Sequence, residues 1–318
     1  MPGRCRALVT LSLPVSLGTA VLLSLAGHGA RPAGGTARAA APSAPASAAP
    51  TGTGPAAPTT SSPAPAATAS RPESPERHLR SRAVATRRLS AGLAGLFGPG
   101  ESYSVAGYDL TTGRTLTAGA AGGMTEASLV KLDILETALY RQQLGYGFDA
   151  DDATEMMEQS DNDAADDVFA ADGGNDGLAH YNALIGLGST ALEPSGVWGL
   201  STTSAADQLT LLRQLVSAGS PLNAASRQYA LQLMGSVEAD QRWGVSAAAD
   251  PGAASRLKNG WLDIDDDGGR WAVTSAGLTT SGGHQVLLVV LSQHQPDYRT
   301  GVDRVEAAAR ELAAALTR

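Results

Sequence analysis

The sequence predicts an α+β domain: an antiparallel sheet flanked by N- and C-terminal helices, with an all-helical lobe inserted between its strands. Three observations predict it. Strand-like runs stand near both ends of the domain, at 103–118 and at 256–291. A helical apolar period runs through the middle, from about 125 to 237. One amphipathic helix precedes the first strands and another follows the last. Two lobes of this kind leave a cleft between them, a common place for a ligand.

The elements follow in order. Val84, Leu89, Leu93, Leu96 and Phe97 predict a helix over 83–97, which Gly98-Pro99-Gly100 ends. The runs 103–108 and 115–118 bracket Thr111-Thr112-Gly113 as a β-hairpin. Helices are predicted at 128–143, 163–171, 176–186, 204–218 and 223–235. Several have Ser, Thr, Asn or Asp near the start and Gly near the end. Strands at 256–262, 271–277 and 285–291 are separated by Asp/Gly-rich turns. A last helix over 302–316 places Val305, Ala309, Leu312 and Leu316 on one face. No internal repeat is present.

The domain occupies 83–318 of the 318 residues, enough for one well-cored unit. From about Gly34 to Pro75 the chain is almost entirely Ala, Pro, Thr, Ser and Gly. Such a segment buries too little apolar surface to offset its ordering entropy, so 34–82 is read as a disordered linker. In residues 1–33, Arg4 and Arg6 precede an apolar run over 7–26 and then small residues. That pattern is a secretory signal peptide, or an uncleaved membrane anchor through 7–26. The expected location is therefore outside the cell or on its surface. Cys5, the only cysteine, precedes the apolar run, where a lipidated cysteine does not stand. The exported part has no cysteine, so the core must hold the fold without disulfides.

Charge narrows the partners. Residues 1–90 carry 10 Arg and 2 Glu, and the remainder carries 13 basic against 29 acidic groups. A domain at −16 lacks the basic footprint that nucleic acid needs. The acid excess reads as solubility.

Arginine outnumbers lysine by 21 to 2. One of the two, Lys131, stands three residues after Ser128 on a predicted helix, so the pair shares a face. A serine hydroxyl is a weak nucleophile until a base takes its proton. A buried lysine can be that base, whereas arginine stays protonated. The other lysine, Lys258, stands two residues before Gly260 on a predicted strand. Ser160-Asp161-Asn162 lies between them, at the mouth of a helix.

The order Ser-x-x-Lys, Ser-Asp-Asn, Lys-x-Gly resembles the penicillin-recognising serine hydrolases, most closely the class A β-lactamase-like branch. The resemblance covers 83–318 and implies a β-lactamase/transpeptidase-like fold. It implies an acyl-enzyme on Ser128, formed from a β-lactam or a cell-wall peptide amide. Lys131 would accept the serine proton, and Ser160 would pass a proton to the leaving nitrogen. Asn162 would hold the substrate's amide side chain. Lys258, with Asn259 beside it, would attract a carboxylate and help keep Lys131 neutral. Gly260 would let the strand approach the substrate, and the Ser128 and Trp261 N–H groups would form the oxyanion site. No metal or organic cofactor is implied, and a monomer is expected.

Three departures stand out. The strand motif carries Asn259 where the family usually has Thr or Ser. Ser128 and Ser160 are closer in sequence than the matching residues of typical class A enzymes, which implies a more open site. No Glu-x-x-Leu-Asn loop follows Asn162 to activate a deacylating water. Glu193 is the one acid between Asp176 and Asp207. It reads as a loop glutamate beside Pro194, with a displaced deacylation base as the alternative. Without that base the acyl-enzyme persists, as in a penicillin-binding protein or a binding module that holds cell-wall peptide.

Other signatures are absent. The stretch 263–268 opens like a calcium loop, but its twelfth position is Thr274 rather than a bidentate Glu, so it reads as a strand turn. The chain has neither HExxH nor GxSxG.

Overall fold

The computed structural model describes residues 75–318, with side chains from 83 onward. The leader over 1–33 and the linker up to 74 lie outside the described residues. Helix α1 (Pro75–Leu93) begins at Pro75 rather than at 83, inside the stretch read as linker. Proline suits the first helical position, and the polar turns that follow carry no apolar period to read.

The hairpin forms as expected from β1 (Ser102–Asp109) and β2 (Thr115–Gly119). A short strand, β3 (Met124–Thr125), then leads into the helical lobe. The lobe contains α2 (Lys131–Gln143), α3 (Ala150–Glu158), α4 (Asn162–Ala171) and α5 (Gly174–Ile185). After β4 (Thr202–Thr203), which pairs with β3, come α6 (Ala205–Gln214) and α7 (Ala224–Gly235). The chain closes with β5 (Arg256–Ile264), β6 (Arg270–Ser281), β7 (His284–Gln295) and α8 (Tyr298–Leu316).

Helix α3 was not legible in the sequence. Its apolar face is only Ala153, Met156 and Met157, among four acids. It forms because Asp149 caps it through Asp151 N (2.9 Å) and Asp152 N (3.2 Å), where negative charge is favoured.

The sheet is antiparallel throughout, in the order β2-β1-β7-β6-β5. Strand β7 is buried on both faces. Val286, Leu288 and Val290 pack with Leu89, Leu93, Val305 and Leu312 of the terminal helices. Leu287, Val289 and Leu291 face the helical lobe. Coverage of both faces explains the unbroken apolar run 286–291. Strand β5 lies at the sheet edge, beside the turn that precedes α2. The Asp-rich stretch after it is a 3-10 turn joining β5 to β6. There Asp267 binds Arg270 and His294, the latter at 2.6 Å.

Helix α2 is buried along Lys131–Leu139, acids included. The Asp133 carboxyl accepts from Asn182 Nδ2 (2.8 Å), and Glu136 accepts from the Tyr181 hydroxyl (2.8 Å). Just before the helix, Glu126 accepts from Gln208 Nε2 (3.0 Å). In each carboxyl the other oxygen is buried without a partner. Burial pushes Asp133 up to about 7, and pushes Glu126 and Glu136 well above the carboxylate range. Asp172, 3.9 Å from Arg141 Nε, is also pushed to about 7 by burial. These groups hold protons in the folded state that the unfolded chain releases near pH 4. Their stabilisation is full below about pH 4 and declines as pH rises to about 7. Lys131 acts the other way above about pH 7, and Lys258, pushed well below the lysine range, opposes the four carboxyls in the same sense. The thermal midpoint should therefore fall between pH 4.5 and 7, by about 2–4 °C for each kcal/mol lost in a domain of this size. Asp133→Asn should flatten that slope in melts followed by circular dichroism; an unchanged slope would refute the assignment.

Candidate active site

The segment before α2 is a 3-10 turn, Ala127–Val130, entered through a strained residue. Ala127 has φ 51°, a left-handed conformation that costs a non-glycine about 1–2 kcal/mol. Surrounding bonds hold it. Glu126 N donates to Ser201 O (2.9 Å), and Glu126 O accepts from Thr274 Oγ1 (3.0 Å) and Leu129 N (3.2 Å). The turn buries Ala127, Leu129 and Val130 and leaves Ser128 half-buried. The Ser128 hydroxyl makes no hydrogen bond among the described residues.

Lys131, the first residue of α2, is fully buried. Its amine donates to Ser160 O (2.6 Å) and Asn162 Oδ1 (2.7 Å) and lies 3.3 Å from Ser160 Oγ. Ser160 also has a left-handed backbone, φ 59°, just before Asp161 caps α4 through Ala164 N (2.9 Å). That conformation turns both its carbonyl and its hydroxyl toward the amine. From the sheet, the fully buried Lys258 donates to Ser160 Oγ (2.9 Å) and Asn259 O (3.0 Å). One hydroxyl thus lies between two amines. Burial lowers Lys131 to about 7, against the partial opposition of Asp161 and Asp166. Burial and the nearby Lys131 push Lys258 well below the lysine range.

Ser128, Lys131, Ser160, Asn162, Lys258 and Gly260 therefore line one junction between lobe and sheet. Three expectations change. Asn259, expected to face a substrate carboxylate, points away from the cleft and is buried. Its Nδ2 donates to Gln241 O (2.7 Å) and Trp243 O (3.2 Å), as strand alternation requires beside Lys258. Gly260, expected to admit substrate, instead admits the turn that carries Ser128. A Cβ there would lie 2.6 Å from Leu129 N and 2.7 Å from Glu126 O. Glu193, considered as a deacylation base, is half-buried in its loop. Its carboxylate accepts from Ser195 Oγ (3.1 Å) and makes no hydrogen bond to Ser128, Lys131 or Asn162. The Trp261 side chain leaves the cleft for an aromatic cluster with Trp243 and Tyr298.

Sequence reasoning missed Trp198. Its ring lies 5.0 Å from Lys131 Nζ, and its indole N–H donates to Asp166 Oδ1 (2.7 Å). The available signal was an aromatic residue in a Gly/Ser/Pro loop, where core packing does not call for one.

Comparison with known proteins gives the family and the fold. The sequence pattern of the β-lactamase enzyme family matches residues 150–317, more than half the chain, and the protein belongs to that family. The match includes Ser160 to Asn162 and Lys258 to Gly260, and begins after Ser128 and Lys131. No curated protein matches the sequence. Among solved structures, a PBP-A variant captured as an acyl-enzyme with penicillin G is 18% identical, with a TM-score of 0.62 over 73% of this chain and 96% of that one. A class A β-lactamase from Bacteroides cellulosilyticus is 12% identical, with a TM-score of 0.63 over 73% and 98%. A β-lactamase from Chitinophaga pinensis is 19% identical, with a TM-score of 0.60 over 73% and 99%. These likenesses establish the fold, including the sheet, terminal helices and helical lobe expected from the sequence. Family and fold together support a hydrolase that acts on β-lactams.

Gly260→Ala should destabilise the protein by about 1–3 kcal/mol, because two of the atoms it meets, Leu129 N and Glu126 O, are backbone and cannot swing aside. A denaturant midpoint equal to wild type would disprove the close approach of β5 to the Ser128 turn.

Proposed function

We propose that the protein is an exported serine hydrolase that opens a β-lactam, or a related cell-wall peptide amide, through an acyl-enzyme on Ser128. The observation that carries this reading is the Ser160 hydroxyl held between the Lys131 and Lys258 amines. A neutral amine has two hydrogens and one lone pair. With its hydrogens on Ser160 O and Asn162 Oδ1, a neutral Lys131 has its lone pair for a proton from Ser128, one turn away, taken directly or through the Ser160 hydroxyl 3.3 Å from the amine.

In this scheme Lys131 takes the Ser128 proton as Oγ bonds to the substrate carbonyl carbon. The developing oxyanion is met by the Ser128 and Trp261 N–H groups, on two segments that Gly260 brings into contact. As the C–N bond breaks, Ser160 gives its proton to the nitrogen and recovers one from Lys131. Asn162 keeps Nδ2 for a substrate carbonyl, since only Oδ1 is taken by Lys131. Lys258 holds Ser160 in place, and burial disfavours a charged Lys131. Release of the acyl group is expected to be slow, because the Glu193 carboxylate is engaged by Ser195. Export rests on the leader pattern of Arg4 and Arg6 before an apolar run.

Intact-mass measurement with penicillin G should show one adduct on the wild-type protein and none on Ser128→Ala. Lys131 must be neutral to act, so acylation should rise with pH and level off above about 7. At pH 5 only about one amine in a hundred is neutral, which predicts a roughly 100-fold slower rate. An adduct on Ser128→Ala, or a rate indifferent to pH, would disprove the scheme.

A further inference from the structure

The loop between Ala191 and Thr202 is short and closed, with its two ends joined by an antiparallel bridge. Asn175 Nδ2 holds it at Glu193 O (2.8 Å), and Ser201 Oγ accepts from Glu193 N (3.1 Å). Its 3-10 turn, Trp198–Leu200, packs directly against the Ser128 turn. Helix α4 serves both catalytic elements at once. Asn162 holds the Lys131 amine, and one helical turn later Asp166 holds the indole over that amine. Asp166 is exposed while Lys131 is fully buried, so the indole stands between the amine and the solvent side of the lobe.

After acylation Lys131 has passed its proton through Ser160 and is neutral again. A water beside it would then be activated. That water would give a proton to Lys131 and bond its oxygen to the ester carbonyl carbon. The carbon–Oγ bond would break, Ser128 would recover the proton from Lys131, and a free acid would leave. An aromatic face has no strong acceptor to orient such a water, and it fills the space the water needs.

We propose that Trp198 sets the lifetime of the acyl-enzyme by covering Lys131 against hydrolytic water, with Asp166 as the residue that positions the indole. This rests on the Ser128 reading above. Trp198 is therefore a second determinant, beside the engaged Glu193, that makes this site capture its substrate rather than turn it over.

The test uses the full-length protein with penicillin G, following adduct formation and adduct decay separately by intact mass across pH. Trp198→Ala should shorten adduct half-life at least tenfold, with a much smaller change in the acylation rate. Its decay should accelerate as pH rises through about 7, where Lys131 becomes a base. Trp198→Phe keeps an aromatic cover and should retain most of the wild-type lifetime. Asp166→Asn should give an intermediate lifetime and move the acylation pH profile to lower pH, because that carboxylate supports a protonated Lys131. Thermal melts establish that each variant is folded. Should Trp198→Ala fail to fold, the Asp166→Asn lifetime decides, and a value equal to wild type overturns the proposal. A Trp198→Ala adduct as durable as wild type also overturns it, as does a parallel slowing of formation and decay. Absence of any wild-type adduct would defeat the Ser128 reading and this proposal together. A durable adduct that ignores position 198 would defeat this proposal alone.

Discussion

The Ser160 hydroxyl lies 2.9 Å from the Lys258 amine and 3.3 Å from that of Lys131, and both lysines are fully buried. The amines are therefore no more than about 6 Å apart. Two unit charges at that distance repel by about 3 kcal/mol at an effective dielectric near 20. Removal from water adds a further cost to each charged form. Both lysines cannot remain cations, and a neutral amine beside a serine is a base. The chemistry proposed for the cleft depends on this constraint, and so does much of the local structure. Ser160 adopts a left-handed backbone so that its carbonyl and hydroxyl meet the same amine. Asn162 supplies the second acceptor. Asn259 turns the other way, leaving Lys258 on the cleft side of β5.

Holding these groups in register requires rigidity on both sides. The Ala127 strain persists because Ser201, Thr274 and Leu129 fix the peptide on either side of Glu126. Packed structure can maintain such strain, where an isolated turn would relax it. Gly260 brings β5 into backbone contact with that turn, which couples the sheet edge to Ser128. On the far side, α2 is enclosed by its neighbours even at Asp133 and Glu136. Those carboxyls remain compatible with burial because they are neutral and each meets one hydrogen-bonding side chain from α5. The helix that carries Lys131 is thereby anchored by the lobe behind it.

The loop after α5 is the segment on which the proposed lifetime of the acyl-enzyme turns. Glu193 directs its carboxylate to Ser195 within the loop, and Trp198 places an indole 5.0 Å from the Lys131 amine. A carboxylate there would orient water, whereas a ring excludes it. Asp166 is then a single side chain with two effects: it holds the indole, and its charge supports the protonated form of Lys131.

The sequence by itself determined the α+β order, the hairpin, the central strands and the four polar residues Ser128, Lys131, Ser160 and Lys258. These were legible for physical reasons. Period-2 and period-3.6 patterns record which faces are buried. A lysine in an arginine-rich chain stands out because only lysine can lose its proton. Helix α3 and the first turns of α1 were not legible, since capping and polar composition leave no apolar period. Tertiary structure alone decided that Asn259 turns inward, that Gly260 accommodates the Ser128 turn, and that Trp198 rather than Glu193 meets Lys131. Each of those outcomes depends on what another segment, far away in sequence, places within about 3–5 Å, and a linear pattern of residue types does not encode that distance.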